Sequence, residues 1–371
     1  MSILLQISGL GGRIPIQVDE KDAGGSYVSS EDGVLDANDE IVFMAADVGS
    51  RATDTNSLEN EPINETWYEI LITDPVSPTK KGWAYLVRSS TLSHAGEADY
   101  VDYPSSRRVS ADNYDLRFAP DEHPGLEYLT LNGSGTDILD RTKLRLIHPF
   151  FGTVTENALE SPVPVLIKNG RVRVILSQIA ADDVTQLAST ETIYQAYASL
   201  VQVATNVNSS ISVNNVRVSV DLNNAASGAT FFNGNIPNGV TINGSPDETV
   251  SPTPLSRWSQ VSHSTGRLIQ VTDPTPAGGK ATNFYRDDTT LEDTNLGESG
   301  TYGDSGLQFT GDINHTFTLQ NALFILPALN GVSGNVGATY ESYFFNPLQV
   351  CAGLKGGPCS NIFLPIIVKG S

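Results

Sequence analysis

The sequence predicts an all-β protein, a large antiparallel β-sandwich with few short helices, and three observations carry that expectation. Apolar and polar residues alternate with period two, as in ISVNNVRVSVDL at 211–222, so such runs give one face to a core and one away from it. Glycine (33) and proline (20) interrupt these runs at turn-like spacing, the mark of many short strands. Charged residues are 17% of the chain, below the roughly 25% usual in soluble domains.

The 371 residues allow two ordinary domains or one large unit. The character of the chain changes near residue 160. The expected division is 1–160, a β-rich region with an acidic loop, and 161–371, an antiparallel sandwich, the two parts joined or continuous. In order, ILLQISG and RIPIQV read as first strands, followed by an acidic, glycine-rich loop over 19–40. IVFMAADV and ETWYEILITDP read as strands, and GWAYLVR, after the Lys80-Lys81-Gly82 turn, as an edge strand. Residues 92–140 are polar and read as a long functional or covering loop. Residues 192–206 are read as strand. A helix through Leu187, Tyr194, Tyr197 and Val201 is the competing reading. HTFTLQNALFILPAL, ATYESYFFNPLQV and NIFLPIIVK are read as closing strands.

At the centre lies VPVLIKNGRVRVIL, residues 163–176. Asn169-Gly170 predicts a two-residue type I′ hairpin turn, which needs positive φ at both positions. In the second arm Val172, Val174 and Leu176 would face a core, and Arg171 and Arg173 the opposite face, where guanidiniums could meet a substrate.

The formal net charge of −20 repels phosphate backbones and argues against a nucleic-acid partner. No apolar run is long enough to span a membrane as a helix, and no signal peptide precedes the first strand. Cys351 and Cys359, in CAGLKGGPC, are expected to form a disulfide, which implies an oxidising compartment. A redox or metal pair is the competing use.

Two acidic stretches suggest cations. In SSEDGVLDANDE, taking Gly33 as the sixth position of an EF-hand-type loop places Ser30, Asp32, Val34 (through its carbonyl), Asp36 and Asp39 at ligand positions for Ca²⁺. Val28 departs from the pattern at the first position, with Asp19 or Asp22 as replacements from outside the loop. Asp287, Asp288, Glu292, Asp293, Glu298 and Asp304 form the second stretch, crowded enough to want a cation or basic neighbours.

The architecture resembles secreted bacterial sandwiches of the galactose-mutarotase-like, super-sandwich kind, polysaccharide lyases among them. The resemblance rests on the acidic DG-rich loop, SPVPVLIKNGRVRVIL and the long alternating strands after it. The closing NIFLPIIVK resembles the tails of secreted Chloroflexota proteins. The resemblance implies a secreted carbohydrate-active or carbohydrate-binding protein. A lyase acting on an acidic sugar needs a base, a cation for the enolate and an aromatic platform. His263, Tyr285, Arg267 and Arg286, with Trp258 as platform, supply those residue types. Trp67, Tyr68, Trp83 and Tyr85 are further candidates for stacking on sugar rings. The competing class is a structural surface protein that self-assembles through its terminal strands. No G-x-S-x-G, H-E-x-x-H, Walker or dinucleotide motif occurs, and Gly303-Asp304-Ser305-Gly306 lacks the His and Asp contexts of a serine-protease triad.

Overall fold

The structure, a computed structural model, describes residues 4–9, 12–52, 66–89, 97–120, 123–148, 152–160, 163–182, 188–293, 298–328, 334–354 and 356–362. Over these residues the chain is an antiparallel all-β sandwich protein with one α-helix. It divides into two compact units, Met1–Asp102 with Leu166–Val174 and Ser342–Ser371, and Tyr103–Val165 with Ile175–Glu341. A single cut near residue 160 does not describe this division. The reason is topological: Gln349–Leu354 pairs with Trp67–Thr73, so late strands complete a sheet begun early.

In the first unit, six strands run in the order Gly12–Ile14, Leu4–Gly9, Lys81–Ser89, Trp67–Thr73, Gln349–Leu354 and Ser360–Ile362. The GWAYLVR strand, expected at an edge, is therefore interior. Leu4–Gly9 pairs with Gly12–Ile14 over Ile7–Gly9 and with Lys81–Ser89 over Leu4–Ile7. Most of the NIFLPIIVK tail lies outside the described residues. Alternation puts Ile70, Ile72, Ala84 and Val350 into one core with Ile14, Ile16 and Phe43. Cys351 and Cys359 form the expected disulfide, with Cα atoms 5.6 Å apart, and tie the last hairpin.

The KNG turn differs from the type I′ expectation. Neither Asn169 nor Gly170 has positive φ, and Gly170 N donates to Arg173 O at 3.2 Å, closing a longer turn. The cause is Gln17. Its Oε1 accepts from Val172 N and Arg173 N, both at 2.9 Å, and its Nε2 donates to Arg173 O at 3.0 Å. Gly170 is required because a Cβ there would collide with the Gln17 amide.

In the second unit, residues 101–131 form a four-stranded meander where a loop was expected: Val101–Ser105, Arg108–Ala111, Tyr114–Phe118 and Leu126–Leu131. Its strands are short and its outer face carries Arg108, Asp115 and Arg117, which masks the buried Val109, Tyr114, Leu116 and Leu129. The sandwich proper packs two sheets. One orders Gly152–Thr155, Leu139–His148, Asn215–Leu222, Glu298–Ile313 and Gly278–Asp293. The other includes Ala188–Ala196, Leu200–Ser209, Thr316–Pro327, Gly266–Asp273 and Trp258–His263. Leu146, Val216, Leu307 and Phe309 from the first meet Val207, Phe317 and Leu319 from the second.

Residues 188–209 are a strand pair in which Tyr194 stands opposite Val203, so the helical reading does not hold there. Residues 183–187 lie outside the described set. The second acidic stretch is mostly strand. Gly278–Asp293 and Glu298–Ile313 pair along their length, and Asp287 is buried. The Asp287 carboxylate accepts from the backbone N–H groups of Asn243, Gly244 and Gly303 at 2.8 to 3.0 Å. Backbone donors supply the compensation that a cation was expected to give.

Gly337–Phe345 is the helix, where ATYESYFF was read as strand. Its first residue packs under the Trp258 ring, where a Cβ would collide with the indole, and Tyr340 stacks on Phe324 at 4.8 Å. The sandwich has a similar tight point at Gly306, whose Cβ would meet the Val218 carbonyl and the Ser219 backbone of the next strand. Gly306→Ala is expected to lower stability by about 1–3 kcal/mol, read as a shift of the urea midpoint at unchanged slope. A midpoint equal to that of the native chain would contradict the packing.

Candidate functional site

In the first unit, strands Trp67–Thr73 and Lys81–Ser89 turn Ile70, Ile72 and Ala84 to the core and Trp67, Glu69, Trp83 and Tyr85 to the other face. Tyr85 is buried there against Ala52, with Trp67 and Trp83 packed around it. Its hydroxyl accepts from Ala52 N at 2.8 Å and donates to Glu69 at 3.3 Å. Glu69 holds the Arg51 fork at 2.9 and 3.1 Å. Burial pushes the Tyr85 hydroxyl above its ordinary pKa, and the neighbouring Glu69 carboxylate adds to the shift.

The segment before Arg51 is fixed by a backbone exchange. Gly49 N donates to Trp83 O at 3.0 Å, and Trp83 N to Gly49 O at 2.9 Å. Across from it, Asp74 shapes the turn at 74–80. Its Oδ1 accepts from Val76 N at 3.0 Å, its carbonyl accepts from Ser77 N at 3.1 Å, and Lys80 N donates to Ser77 O at 2.8 Å. Between these segments lies a cavity of about 450 Å³. Its lining includes Val48, Ile72 and Leu348 as apolar surface, half-buried Trp83, and the charged Asp74, Lys80 and Lys81. An apolar wall with a few polar groups is the composition of a small-molecule site, while the Trp83 side chain turns to the Tyr85 and Ala52 side of the sheet.

The second unit holds a different constellation. On the first sheet of the sandwich, Lys143 lies opposite Ser219, Arg145 opposite Arg217, and Asp304 opposite Arg286. Because Leu144, Leu146, Val216 and Val218 turn to the core, the alternating Lys143, Arg145, Arg217 and Asp221 share the other face. Lys143 Nζ stands 2.6 Å from Asp221 Oδ2 and 3.2 Å from Asp304 Oδ2. Arg145 pairs with Glu156, and the Arg217 guanidinium lies 4.3 Å from the centre of the Phe284 ring.

Lys143, Arg145, Glu156, Arg217, Asp221 and Asp304 are each at most 6% exposed, and Arg286 is half-buried. Burial pushes the Asp221 carboxyl up to about 7, the Asp304 carboxylate adds to the rise, and Lys143 opposes it. Burial and the adjacent Arg217 lower Arg145 to about 10. Among its buried groups the face sets three cations against three carboxylates. The Trp83 cavity carries the exposed Lys80 and Lys81.

The residues singled out in the sequence fall as follows. Trp258 and His263 sit at opposite ends of one strand, about 17 Å apart at strand rise, and Arg267 is buried on the neighbouring strand. Trp258 is covered by the start of the helix. His263 Nδ1 is engaged by Thr265 Oγ1 at 2.7 Å. Tyr285 and Arg286 belong to the other sheet and point to opposite faces. Tyr285 turns inward, 4.5 Å from Phe231, and Arg286 lies 5.7 Å from the Phe284 ring centre. The structure does not bring these five side chains together, because strand period two separates them.

Arg173 is fully buried against Asp19 and Glu40, and Arg171 is 3.0 Å from Glu97. Both are therefore held in ion pairs. In the 30–39 loop Asp39 accepts from Lys21 N and Asp36 N, and Asp32 from Val34 N. Glu20 accepts from the backbone N–H groups of Asp32 and Gly33. Asp32, Val34, Asp36 and Asp39 close the loop through such bonds, and Ser30 is exposed. Among the described residues no three His, Cys, Asp or Glu side chains come together in a way that could hold a metal ion.

Neither a protein-family model nor a curated protein matches the chain. Among solved structures it is similar to a heparan sulfate lyase from Pedobacter heparinus, at 8% identity and TM-score 0.40, over 76% of this chain and 44% of that one. It is also similar to an α-N-acetylgalactosaminidase from Bifidobacterium bifidum, at 14% identity and TM-score 0.41, over 60% of this chain and 36% of that one. The chain spans less than half the length of either. The likeness is one of fold and assigns no activity.

Proposed function

We propose that this is an extracellular polysaccharide-binding β-sandwich protein and that the cavity beside Trp83 holds a sugar ring. The observation that carries the reading is half-buried Trp83 lining an open cavity of about 450 Å³ together with three charged side chains. Val48, Ile72 and Leu348 offer an apolar surface to a sugar face, and the exposed Lys80 and Lys81 offer hydrogen bonds to its rim. The disulfide fits an oxidising, extracellular setting, and among the described residues no helix is long and apolar enough to cross a membrane.

The test is affinity electrophoresis through a panel of neutral and anionic polysaccharides, with unsaturated product followed by absorbance. The native chain is expected to be retarded by at least one of them. Trp83→Ala is expected to bind that one about tenfold more weakly, the equivalent of about 1.4 kcal/mol. Trp258→Phe, in the other unit, is expected to bind as the native chain does. Equal retardation of the Trp83→Ala and native chains would remove the reading.

A further inference from the structure

We infer that the second unit binds a small uncharged alcohol between the two sheets of its sandwich, the apolar body filling a gap there and the hydroxyl meeting the Gln270 amide. The site belongs to the other unit from the Trp83 cavity and stands apart from the polysaccharide-binding reading.

Over part of its length the sandwich closes fully, with Leu146, Val216, Val207 and Phe317 buried between the sheets. A few residues along, it does not. Leu144 and Val218 of one sheet turn inward yet are half-buried. Val203 and Thr205 of the other share the inward face of Val207 and are half-buried too. The cause is in the sequence, which places the short Thr190, Thr192 and Thr205 inward on paired strands. The result is a cavity of about 100 Å³ between the sheets. An apolar cavity of about 150 Å³ takes a benzene ring, so this one encloses the greater part of a six-membered ring and leaves its edge at the open side.

The walls carry polar groups that the sandwich itself does not satisfy. Gln270 stands opposite Leu323 on the inward face, is 7% exposed and lines the cavity. Among the described residues its amide has no hydrogen-bond partner, and neither has the Thr190 hydroxyl, which lines the same cavity. Glu156 lines it as well. Its Oε2 is taken by Arg145 and by Leu144 N, while the buried Oε1 makes no hydrogen bond among the described residues and has Arg141 Nη1 3.9 Å away. Other polar groups of the lining are engaged. Thr192 Oγ1 bonds Thr205 Oγ1 at 3.2 Å, the Tyr194 hydroxyl donates to Gln178 at 3.2 Å, and Asn321 Oδ1 accepts from Thr272 at 2.7 Å. A buried amide left without a partner is costly, so a molecule that supplies one gains by it.

These groups define the ligand class. Gln270 Oε1 and Glu156 Oε1 accept hydrogen bonds and call for a donor, which a ketone or ether lacks. The Glu156 charge is already answered by Arg145, and a charged ligand would lose its hydration against Val203 and Leu323. Water makes the same hydrogen bonds but leaves Leu144, Val203, Val218 and Leu323 wet. An alcohol on a ring makes the bonds and covers the walls.

The experiment titrates the full chain with cyclohexanol, and with cyclohexanone, cyclohexylamine and glycerol as the other arms. Binding is read by saturation-transfer NMR and by the rise in melting temperature that a ligand of the native state produces. Cyclohexanol is expected to bind, cyclohexanone at least about tenfold more weakly, and glycerol, which has no apolar body, not at all. Gln270→Met keeps the length of the side chain without its amide. It is expected to lower cyclohexanol affinity about tenfold and to bring alcohol and ketone to equal affinity. Val203→Phe fills the gap from its half-buried side and is expected to abolish binding. The melting transition of each free variant shows whether it has folded, and if Val203→Phe has not, Gln270→Met decides.

Full cyclohexanol affinity in either folded variant removes the site. Equal affinity of the native chain for alcohol and ketone, or tighter binding of the amine, removes the ligand class. A native chain that binds none of the four molecules keeps water in the gap and overturns the proposal.

Discussion

Arg173→Met is expected to lower the stability of the first unit by about 3–5 kcal/mol, the range for removing one partner of a buried ion pair. The Arg173 side chain is fully buried, with Nη2 2.7 Å and Nε 2.8 Å from Asp19 Oδ2, and it also pairs with Glu40. The Tyr27 hydroxyl approaches its Nη2 at 3.3 Å. Methionine would leave the Asp19 carboxylate buried, with Gln17 Nε2 still donating to its Oδ1 at 2.6 Å.

The pH dependence should change with it. Burial alone would raise the Glu40 carboxyl, but the Arg173 charge and hydrogen bonds from Lys21, Arg173 and Tyr27 outweigh burial and hold it below its ordinary value. A carboxyl depressed in the folded state adds stability above its unfolded pKa, and that stability is lost as pH falls through the folded value. Arg173→Met should weaken this acid-side loss. Urea unfolding across pH 3–7 measures both effects. A loss below about 1 kcal/mol at neutral pH would show that the pair is not what fixes the turn.

Lys143→Met is expected to have a comparable effect on the second unit, about 3–5 kcal/mol at pH 7.5, because Asp221 and Asp304 would then face each other without the ammonium between them. The loss should shrink on acidification as one carboxylate takes up a proton.

The native chain should already show the same linkage. The Asp221 carboxyl sits near 7 when folded, above the ordinary 3.8, so between these values the folded state holds a proton that the unfolded state does not. Its contribution to stability therefore rises as pH falls from about 7 to about 4, by up to about 1.4 kcal/mol per unit, and is constant below that window. Asp221→Asn should flatten this part of the profile. Hydrogen exchange of strand Leu139–His148, followed from pH 5 to 8, reports on this unit alone. Protection that falls equally with pH in the native and Asp221→Asn chains, after correction for intrinsic exchange, would exclude the assignment.

The fold class was legible because period-two alternation is a local property. NVRVSVDL becomes a strand as read, and its alternation with that of TKLRLIH, followed to the polar side, marks Lys143, Arg145, Arg217 and Asp221 as one face. The cysteine pair was legible for a similar reason, since eight residues containing three glycines close readily. What failed depended on partners distant in sequence. The Asn169-Gly170 signal is outweighed by Gln17, which lies far upstream and supplies the turn with its hydrogen bonds. Two of the backbone donors to Asp287, Asn243 and Gly244, come from a loop more than forty residues earlier, beyond the reach of a local reading of the acidic run at 287–304. ATYESYFF reads as β by residue type, yet tertiary packing under Trp258 makes it helical. For the candidate site, Trp83 and the Lys80-Lys81 turn stood out in the sequence. Asp74 and Leu348 did not, because only the folded sheet brings them to the same cavity.

The first unit is assembled from Met1–Asp102, Leu166–Val174 and Ser342–Ser371, and Gln349–Leu354 is the neighbour of Trp67–Thr73 in its sheet. During synthesis on the ribosome, the early strands must therefore wait for the last part of the chain, while every strand between 175 and 327 has already emerged. The nested unit can condense first, and the outer one closes only once Gln349–Leu354 has emerged. Until then the Trp67–Thr73 edge is unpaired on one side, an interval in which a chaperone has a β-edge to protect.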